Sequence, residues 1–276
     1  MATLALAIAL LAAVLHATWN FFLKESADRL ATAALIVAFG GLIYLPWVYA
    51  VEGLPVGVWD HVVASAVIHA VYFIALVAAY DRVDFSVAYP IARGVAPALV
   101  ALGGWLFLGD NIGLLATLVI GGIVVALIWL GWSPGAMAGL HWALITGVTI
   151  ALYTVNDAAA VRESGQALAY TVTITVAGAV LLVPYAIGRS GAGTLVATWR
   201  ARPAAILGAA ALNIGAYALV LYAATLAPVG LVAAVRESSV VLGALAGIVI
   251  LKEPFGRRRL VGAAAVAIGI VALGLI

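Results

Sequence analysis

The sequence predicts an all-α membrane protein of ten transmembrane helices, arranged as two inverted five-helix repeats. Of its 276 residues, 67% are hydrophobic and only 9% are charged, which is too few charges to cover the surface of a soluble domain of this size. Apolar runs of about 20 residues, the length that crosses a bilayer as a helix, recur along the whole chain. Polar residues also stand at matching places in its two halves.

The apolar runs are joined by short connections, except for the segment from 188 to 203. Because backbone polar groups in lipid must be satisfied within the protein, runs of this kind cross the membrane as helices. The first run lacks a basic segment before it and contains polar residues, so we expect a span rather than a cleaved signal peptide. The predicted spans are Ala2–Leu23, Ala31–Val51, His61–Tyr80, Phe85–Leu108, Ile112–Trp132, Leu140–Val161, Ala167–Ile187, Ala204–Leu226, Val229–Leu251 and Leu260–Ile276.

An internal repeat relates the two halves. Arg93 and Arg236 are separated by the same interval as several other similar pairs, and a slightly shorter interval relates Asn20 to Asn156. Residues 1–133 and 134–276 are therefore predicted to form two repeats. Because five spans is an odd number, the second repeat must lie upside down relative to the first. Inverted repeats around a binding site near the midplane are the architecture of many secondary transporters.

Basic residues are concentrated on one side of this predicted topology. The opposite side carries only Arg162 in its loops. The positive-inside rule then places the basic loops in the cytoplasm and both termini outside, in a bacterial-type inner membrane. The basic loops follow helices one, three, seven and nine and contain Lys24, Arg29, Arg82, Arg189, Arg200, Arg202, Lys252, Arg257, Arg258 and Arg259.

Two arginines lie deep within predicted spans. Arg93 stands about nine residues into helix four, roughly 13 Å from its nearer end, and Arg236 lies at a similar depth in helix nine. An arginine at such depth costs about 2.5–3.5 kcal/mol on insertion scales, so the pair predicts a polar cavity inside the protein. Glu237 either neutralises one arginine locally or leaves both to bind a substrate carboxylate or a gating partner.

Polar and aromatic side chains at helical spacing predict the walls of this cavity. His16, Trp19 and Asn20 share one face of helix one, and His69 and Tyr72 are close on helix three. Such side chains suit a flat or apolar ligand with a polar head, although aromatic stripes are also common in packed cores. The candidate cavity residues are His16, Trp19, Asn20, His69, Tyr72, Tyr89, Arg93, Asn156, Asn213, Tyr217, Arg236, Glu237 and Ser239, and the candidate hinge residues of helix four are Pro90, Gly94 and Pro97.

Several classes of chemistry are not supported by the sequence. The chain has no cysteine, and its four histidines lack the spacing of metal ligands, so we expect neither a metal nor a cofactor. No nucleophile motif or paired acid at helical spacing is present, so we do not expect an enzyme. Dispersed basic residues give no nucleic-acid footprint. The expected partners are a small-molecule substrate and the lipid bilayer, and we expect a monomer.

Five short motifs carry a resemblance to a known family. Leu106–Asp110 and then Gly121–Gly122 resemble the helix four–five signature of the drug/metabolite transporter superfamily, EamA type, and Ile250–Glu253 is similar to it in the second half. His16–Asn20 and Tyr89–Gly94 resemble one branch of that family. The resemblance implies ten helices, alternating access and export of small metabolites such as amino acids, including aromatic ones.

The chain departs from the family pattern at two places. Asp110 stands where the family usually has glutamate, and helix one lacks the glutamate of the proton-coupled multidrug relatives. The coupling mechanism of those relatives is therefore not implied here. Asp157, Glu237, His16 and His69 could carry protons, but downhill export fits the sequence equally well. A lipid or lipid-linked metabolite translocase of the same fold is the alternative function.

Overall fold

The computed structural model describes residues 3–24, 26–80, 82, 85–131, 139–242 and 257–276, and no strand is present among them. In the first half the helices are α1 (Thr3–Lys24), α2 (Arg29–Val51), α3 (Trp59–Tyr80), α4 (Phe85–Leu108) and α5 (Gly113–Gly131). In the second half they are α6 (Leu140–Ser164), α7 (Ala167–Ser190), α8 (Ala192–Ala201), α9 (Pro203–Leu226), α10 (Val229–Arg236) and α11 (Arg257–Leu275).

Eight helices in the described part of the chain, α1 to α7 and α9, are long and apolar enough to cross a membrane. They coincide with the first eight predicted spans. The segment Leu260–Leu275 of α11 is a shorter apolar helix at the position of the tenth. The predicted all-α membrane fold is thus confirmed. The connection expected between 188 and 203 contains the short helix α8, whose exposed faces and basic last turn suit the edge of the membrane.

The predicted ninth span is not one continuous helix. α10 ends at Arg236, Glu237 forms a turn, and residues 238–242 are helical again. The amide of Glu237 donates to the carbonyl of Ala234 at 3.1 Å, three residues back rather than four. The expectation of an unbroken helix is therefore wrong at this point. The next residues are Ser238 and Ser239, and serine competes with the helix for its own backbone groups. The rest of this span, 243–251, lies outside the described residues.

Helix packing joins the two halves of the chain. α1 packs against α9, α2 against α7, α4 against α6, and α3 against both α6 and α7. α5 and α11 pack on each other, and α5 also packs on α4. The largest apolar core contains Ala9 of α1, Leu127 of α5, Val235 of α10 and Leu273 of α11. Each half therefore buries its apolar faces mainly against the other half.

Two glycines allow the helix contacts that position the deep arginines. A Cβ atom on Gly230 of α10 would lie 2.7 Å from the Cα of Ala101 on α4. A Cβ atom on Gly147 of α6 would lie 2.9 Å from the carbonyl oxygen of Ala92, the residue before Arg93. Small residues at such contacts let helix backbones approach closely in membranes. The backbones that carry the two arginines are thus held close together.

We predict that Gly230→Val destabilises the protein, because the new side chain would collide with the backbone of α4. Overpacking of this kind costs about 1–3 kcal/mol. The melting temperature of purified protein in detergent measures the effect. Gly208→Val in α9 is the matched control, since nothing lies within 4 Å of a Cβ atom at Gly208. Equal melting temperatures for the two variants would contradict the prediction.

Candidate substrate cavity

A cavity of about 180 Å³ lies between the two halves of the protein. Its walls come from α1, α2, α3, α4, α6, α7, α9 and α10. It extends from Arg29, an exposed residue at the start of α2, to the buried arginines Arg93 and Arg236. The candidate cavity residues that line it are His16, Trp19, Asn20, His69, Tyr72, Arg93, Asn213, Tyr217 and Arg236.

Two buried cations and one buried anion lie at the deep end. Arg93 is 4% exposed and Arg236 is 3% exposed, while Glu237 is completely buried. The Nε of Arg93 donates to Oε2 of Glu237 at 3.0 Å, which pairs α4 with the break after α10. The Nε and Nη2 of Arg236 have no hydrogen-bond partner within the described part of the chain. The cluster therefore carries one positive charge more than its carboxylate compensates.

Glu237 pairs with Arg93 rather than with Arg236 because adjacent residues of a helix do not face each other. Arg236 is the last residue of α10, and Glu237 after it keeps a helical backbone conformation, with φ −66° and ψ −9°. A cation at a helix C-terminus is favoured by the exposed backbone carbonyls. Arg236 thus has partial compensation from its helix end, and its side chain contributes to the cavity wall.

An aromatic wall lies beside the arginines. The rings of His69 and Tyr153 are stacked, with centroids 4.1 Å apart and planes 23° apart. Tyr217 meets His69 at 6.1 Å and Tyr153 at 6.0 Å, edge to face in both cases. Tyr72 meets Tyr153 in the same manner at 5.8 Å. These contacts hold the four rings against one another as an aromatic box in the wall of the cavity.

The polar face of α1 forms the opposite wall. The indole Nε1 of Trp19 donates to Nδ1 of His16 at 3.3 Å, and the two rings are perpendicular at 5.2 Å. The side-chain amide of Asn20 donates to the carbonyl of His16 at 2.8 Å. This donor of Asn20 is therefore already used within its own helix.

The remaining candidate residues do not line the cavity or lie outside the description. Asn156 bonds instead to His61 of α3, where its Oδ1 lies 2.8 Å from Nδ1 and its Nδ2 donates to the carbonyl at 3.0 Å. Glu237 does not line the cavity, but it is hydrogen-bonded to Arg93, which does. Ser239 is buried and follows Glu237 by two residues in the sequence. The side chain of Tyr89 lies outside the described residues.

The candidate hinge residues stand in an unbroken helix. α4 is helical throughout Phe85–Leu108. Gly94 and Pro97 are buried, and a Cβ atom on Gly94 would lie 3.0 Å from the Cβ of Leu127 in α5. The side chain of Pro90 lies outside the described residues. Whether this helix bends during a transport cycle stays a prediction.

Three residues at or near the cavity were not among its predicted lining residues. Tyr153 belongs to the aromatic wall, and its spacing from Asp157 puts both on one face of α6. Asp157, named from the sequence only as a candidate proton carrier, is completely buried and accepts hydrogen bonds from Tyr170 and Tyr217. An acid inside a span was the available signal. Arg29 lines the mouth of the cavity, but its sequence context does not distinguish it from the other loop arginines.

The end of the protein opposite Arg29 is closed by a polar cluster around Arg162. Its guanidinium donates to both carboxylate oxygens of Asp110, at 2.8 and 3.3 Å. It also donates to the carbonyls of Ala224 and Ala227, at 2.8 and 3.2 Å. Asp110 in turn accepts from the amide of Val229 at 2.7 Å. One ion pair thus ties the ends of α4, α6 and α9 to the start of α10.

We predict that Arg93 and Glu237 are energetically coupled. Glu237→Gln and Arg93→Met should each lower the melting temperature, because loss of one partner from a buried ion pair costs about 3–5 kcal/mol. The double variant should be less destabilised than the sum of the two single variants. Arg200→Ala on the exposed helix α8 is the control partner and should add to Glu237→Gln without coupling. Purely additive effects of Arg93→Met and Glu237→Gln would refute the pairing.

Comparison with known proteins assigns the fold and the family. A solved crystal structure of another protein is similar to this chain. The similarity covers 98% of this chain and 96% of the other chain, with a TM-score of 0.78 and 16% sequence identity. At that identity the likeness establishes the fold alone. No curated protein matches this chain in sequence. The model of the EamA-like transporter family matches residues 137–275, half of the chain. This confirms the resemblance carried by the sequence motifs: the chain belongs to the EamA-like transporter family.

Proposed function

We propose that this protein exports small metabolites, foremost amino acids with aromatic or apolar side chains, as a secondary transporter. The observation that carries this proposal is the guanidinium of Arg236, which is buried, lines the cavity and has two nitrogens without a hydrogen-bond partner in the described protein. A buried cation with unused donors is costly unless a ligand or water completes it. A substrate carboxylate is the group that complements it best.

The rest of the cavity suits the other parts of such a substrate. The box of His69, Tyr72, Tyr153 and Tyr217 would hold a flat or apolar side chain. The faces of these tyrosines attract an ammonium group by cation–π interaction. None of the described residues that line the cavity is an aspartate or a glutamate, so no protein carboxylate in the wall competes for Arg236.

Alternating access would proceed by movement of the two inverted repeats, residues 1–133 and 134–276, about this cavity. The cavity reaches the protein surface at Arg29, and the cluster of Asp110 and Arg162 closes the other end. In a bacterial-type inner membrane with the basic loops on the cytoplasmic side, this conformation is open to the cytoplasm. In the opposite conformation the contact of Arg162 with Asp110 would break. Bending at Pro90, Gly94 and Pro97 of α4 would allow the change.

Arg236→Ala is predicted to weaken the binding of L-phenylalanine at least about tenfold, since a hydrogen-bonded charge pair is lost. Binding to purified protein is measured by calorimetry, and transport by uptake of labelled L-phenylalanine into proteoliposomes. Phenethylamine, which lacks the carboxylate, should bind wild type and variant equally weakly. Arg200→Ala on the exposed face of α8 is the control and should behave as wild type.

Failure of the wild-type protein to bind any amino acid in the same assay would overturn the proposal. Movement of a labelled phospholipid between leaflets by the same proteoliposomes would instead identify the protein as a lipid translocase. A lipid translocase needs a cavity that opens sideways to the bilayer, whereas an amino-acid carrier functions with a closed cup. We further propose that the transporting unit is a monomer, which the mass of the detergent-solubilised protein tests.

The membrane orientation can be tested with single cysteines, because the natural chain has none. We predict that Glu163→Cys at the end of α6 is labelled by a membrane-impermeant maleimide in intact cells. Gly193→Cys on α8 should be labelled only after the membrane is permeabilised, since α8 follows the seventh span. Both positions are exposed, and a Cβ atom at Gly193 meets nothing within 4 Å. The reverse labelling pattern would invert the proposed topology and place the open cavity outside.

A further inference from the structure

Asp157 is a buried acid, and substrate binding at Arg236 does not explain its presence. It lies within the span formed by α6 and is 0% exposed. The ion pairs of the described residues are Arg93 with Glu237 and Arg162 with Asp110, so Asp157 has no cationic partner among them. An ionised carboxylate in a membrane protein interior is retained only at a considerable free-energy cost. A residue of this kind is a functional candidate by default.

Within the described part of the chain, all the hydrogen-bond donors to Asp157 are neutral. Its Oδ1 accepts from the hydroxyl of Tyr170 at 2.8 Å and from the amide of Asn156 at 3.0 Å. Its Oδ2 accepts from the hydroxyl of Tyr217 at 2.5 Å. Tyr217 lines the cavity, so a single hydroxyl group separates the carboxylate from the proposed substrate site. Three neutral donors hydrogen-bond to the carboxylate without neutralising its charge.

The charged and titratable groups around Asp157 come from every helix that packs on α6. Arg162, the arginine of α6 that lies nearest to Asp157 in sequence, is paired with Asp110 at the closed end. The cations that line the cavity are Arg29 at its mouth and Arg93 and Arg236 at its deep end, where Arg93 is paired with Glu237. In the described part of the chain the groups that these helices contribute are His61 and His69 of α3, Arg93 of α4, Tyr153 of α6, Tyr170 of α7, Tyr217 of α9, and Arg236 with Glu237 at the end of α10.

We infer that Asp157 is a proton-binding site coupled to the substrate cavity through Tyr217. A hydronium ion in the cavity gives a proton to the hydroxyl oxygen of Tyr217 and becomes water, while that hydroxyl passes its own hydrogen to Oδ2 of Asp157. The new O–H group of Asp157 then donates to the oxygen of Tyr217, whose hydrogen is now available to the cavity. Deprotonation reverses these steps and returns the proton to water. The protonated state thus presents one extra donor to a substrate and removes one negative charge from its surroundings.

The sign of the coupling follows from these two changes. Both favour a substrate carboxylate when Asp157 is protonated, so by reciprocity the bound carboxylate increases the proton affinity of Asp157. Proton and substrate therefore travel in the same direction, and efflux of an accumulated substrate carries a proton out with it. This part of the inference rests on the proposed function, whereas proton binding by Asp157 does not.

The first test needs no substrate. Acidification of the purified protein in nanodiscs should produce the infrared band of a protonated carboxyl group, which Asp157→Asn removes. Asp60→Asn, at an exposed acid in the first turn of α3, is the control and should keep the band. Tyr170→Phe, outside the cavity lining, should keep the band but shift its midpoint to higher pH by about one unit, because the anion loses a donor. The inference is overturned if Asp157→Asn leaves the band unchanged. If Asp157→Asn does not fold, an unshifted midpoint in Tyr170→Phe overturns it instead.

The second test measures coupling to a defined probe. Addition of L-phenylalanine to weakly buffered wild-type protein should cause proton uptake, read by a pH indicator, and Asp157→Asn should bind the probe without uptake. In proteoliposomes, an imposed pH gradient should drive L-phenylalanine toward the alkaline side through wild type only. Proton release on binding, or a gradient response retained in Asp157→Asn, contradicts the coupling. Absence of L-phenylalanine binding by wild type counts against the proposed function, and the infrared test then decides the proton site alone.

Discussion

The excess positive charge of the arginine cluster inside the protein is the constraint on which the rest of this structure depends. Two guanidinium groups, those of Arg93 and Arg236, are buried there, and the carboxylate of Glu237 pairs with the first of them. A cation in a spanning helix is tolerated when it faces a partner or a water-filled space. Arg93 has the partner. Arg236 has the cavity, so the cavity is a physical necessity of this sequence as well as a site for a ligand.

The contacts between the two halves give this cavity its shape. Because α1 packs on α9 and α4 on α6, the cavity is lined by helices of both halves. The ion pair of Arg93 with Glu237 crosses between the halves at the deep end, and the cluster around Arg162 crosses between them at the closed end. A movement of one half against the other must therefore rearrange polar contacts at specific places. Such discrete contacts are what give a transporter two distinct states rather than a continuous range.

The sequence predicted the fold well because the physics of a span is local. Length and hydropathy alone identify a helix such as α5, and the depth of Arg93 and Arg236 within apolar runs predicted that both would face a polar interior. Residues on one helix face, such as His16 and Trp19, were also predictable from spacing. The break at Glu237 was not predictable, because no proline or glycine marks it in the sequence.

The pairing of polar side chains between helices could also not be predicted from the sequence. Asn20 and Asn156 were predicted to be equivalent in two repeats, yet Asn20 lines the cavity and Asn156 bonds to His61. An identical amide can have either environment, and only the packing of α3 on α6 decides between them. For the same reason Asp157 could be recognised as unusual in sequence, but its three neutral donors could not be named. Tertiary contacts between distant residues carry this information.

The separation of Arg93 from Glu237 along the chain has a consequence for biosynthesis. The two residues are 144 positions apart, and a ribosome that adds about 5–20 residues per second needs roughly 7–30 s to make that stretch. During this interval α4 has left the ribosome while its counter-ion does not yet exist. The nascent guanidinium must spend that time in the translocon, at its aqueous interior or at the headgroups. The first half of the protein can therefore complete its insertion into lipid only after the second half has been made.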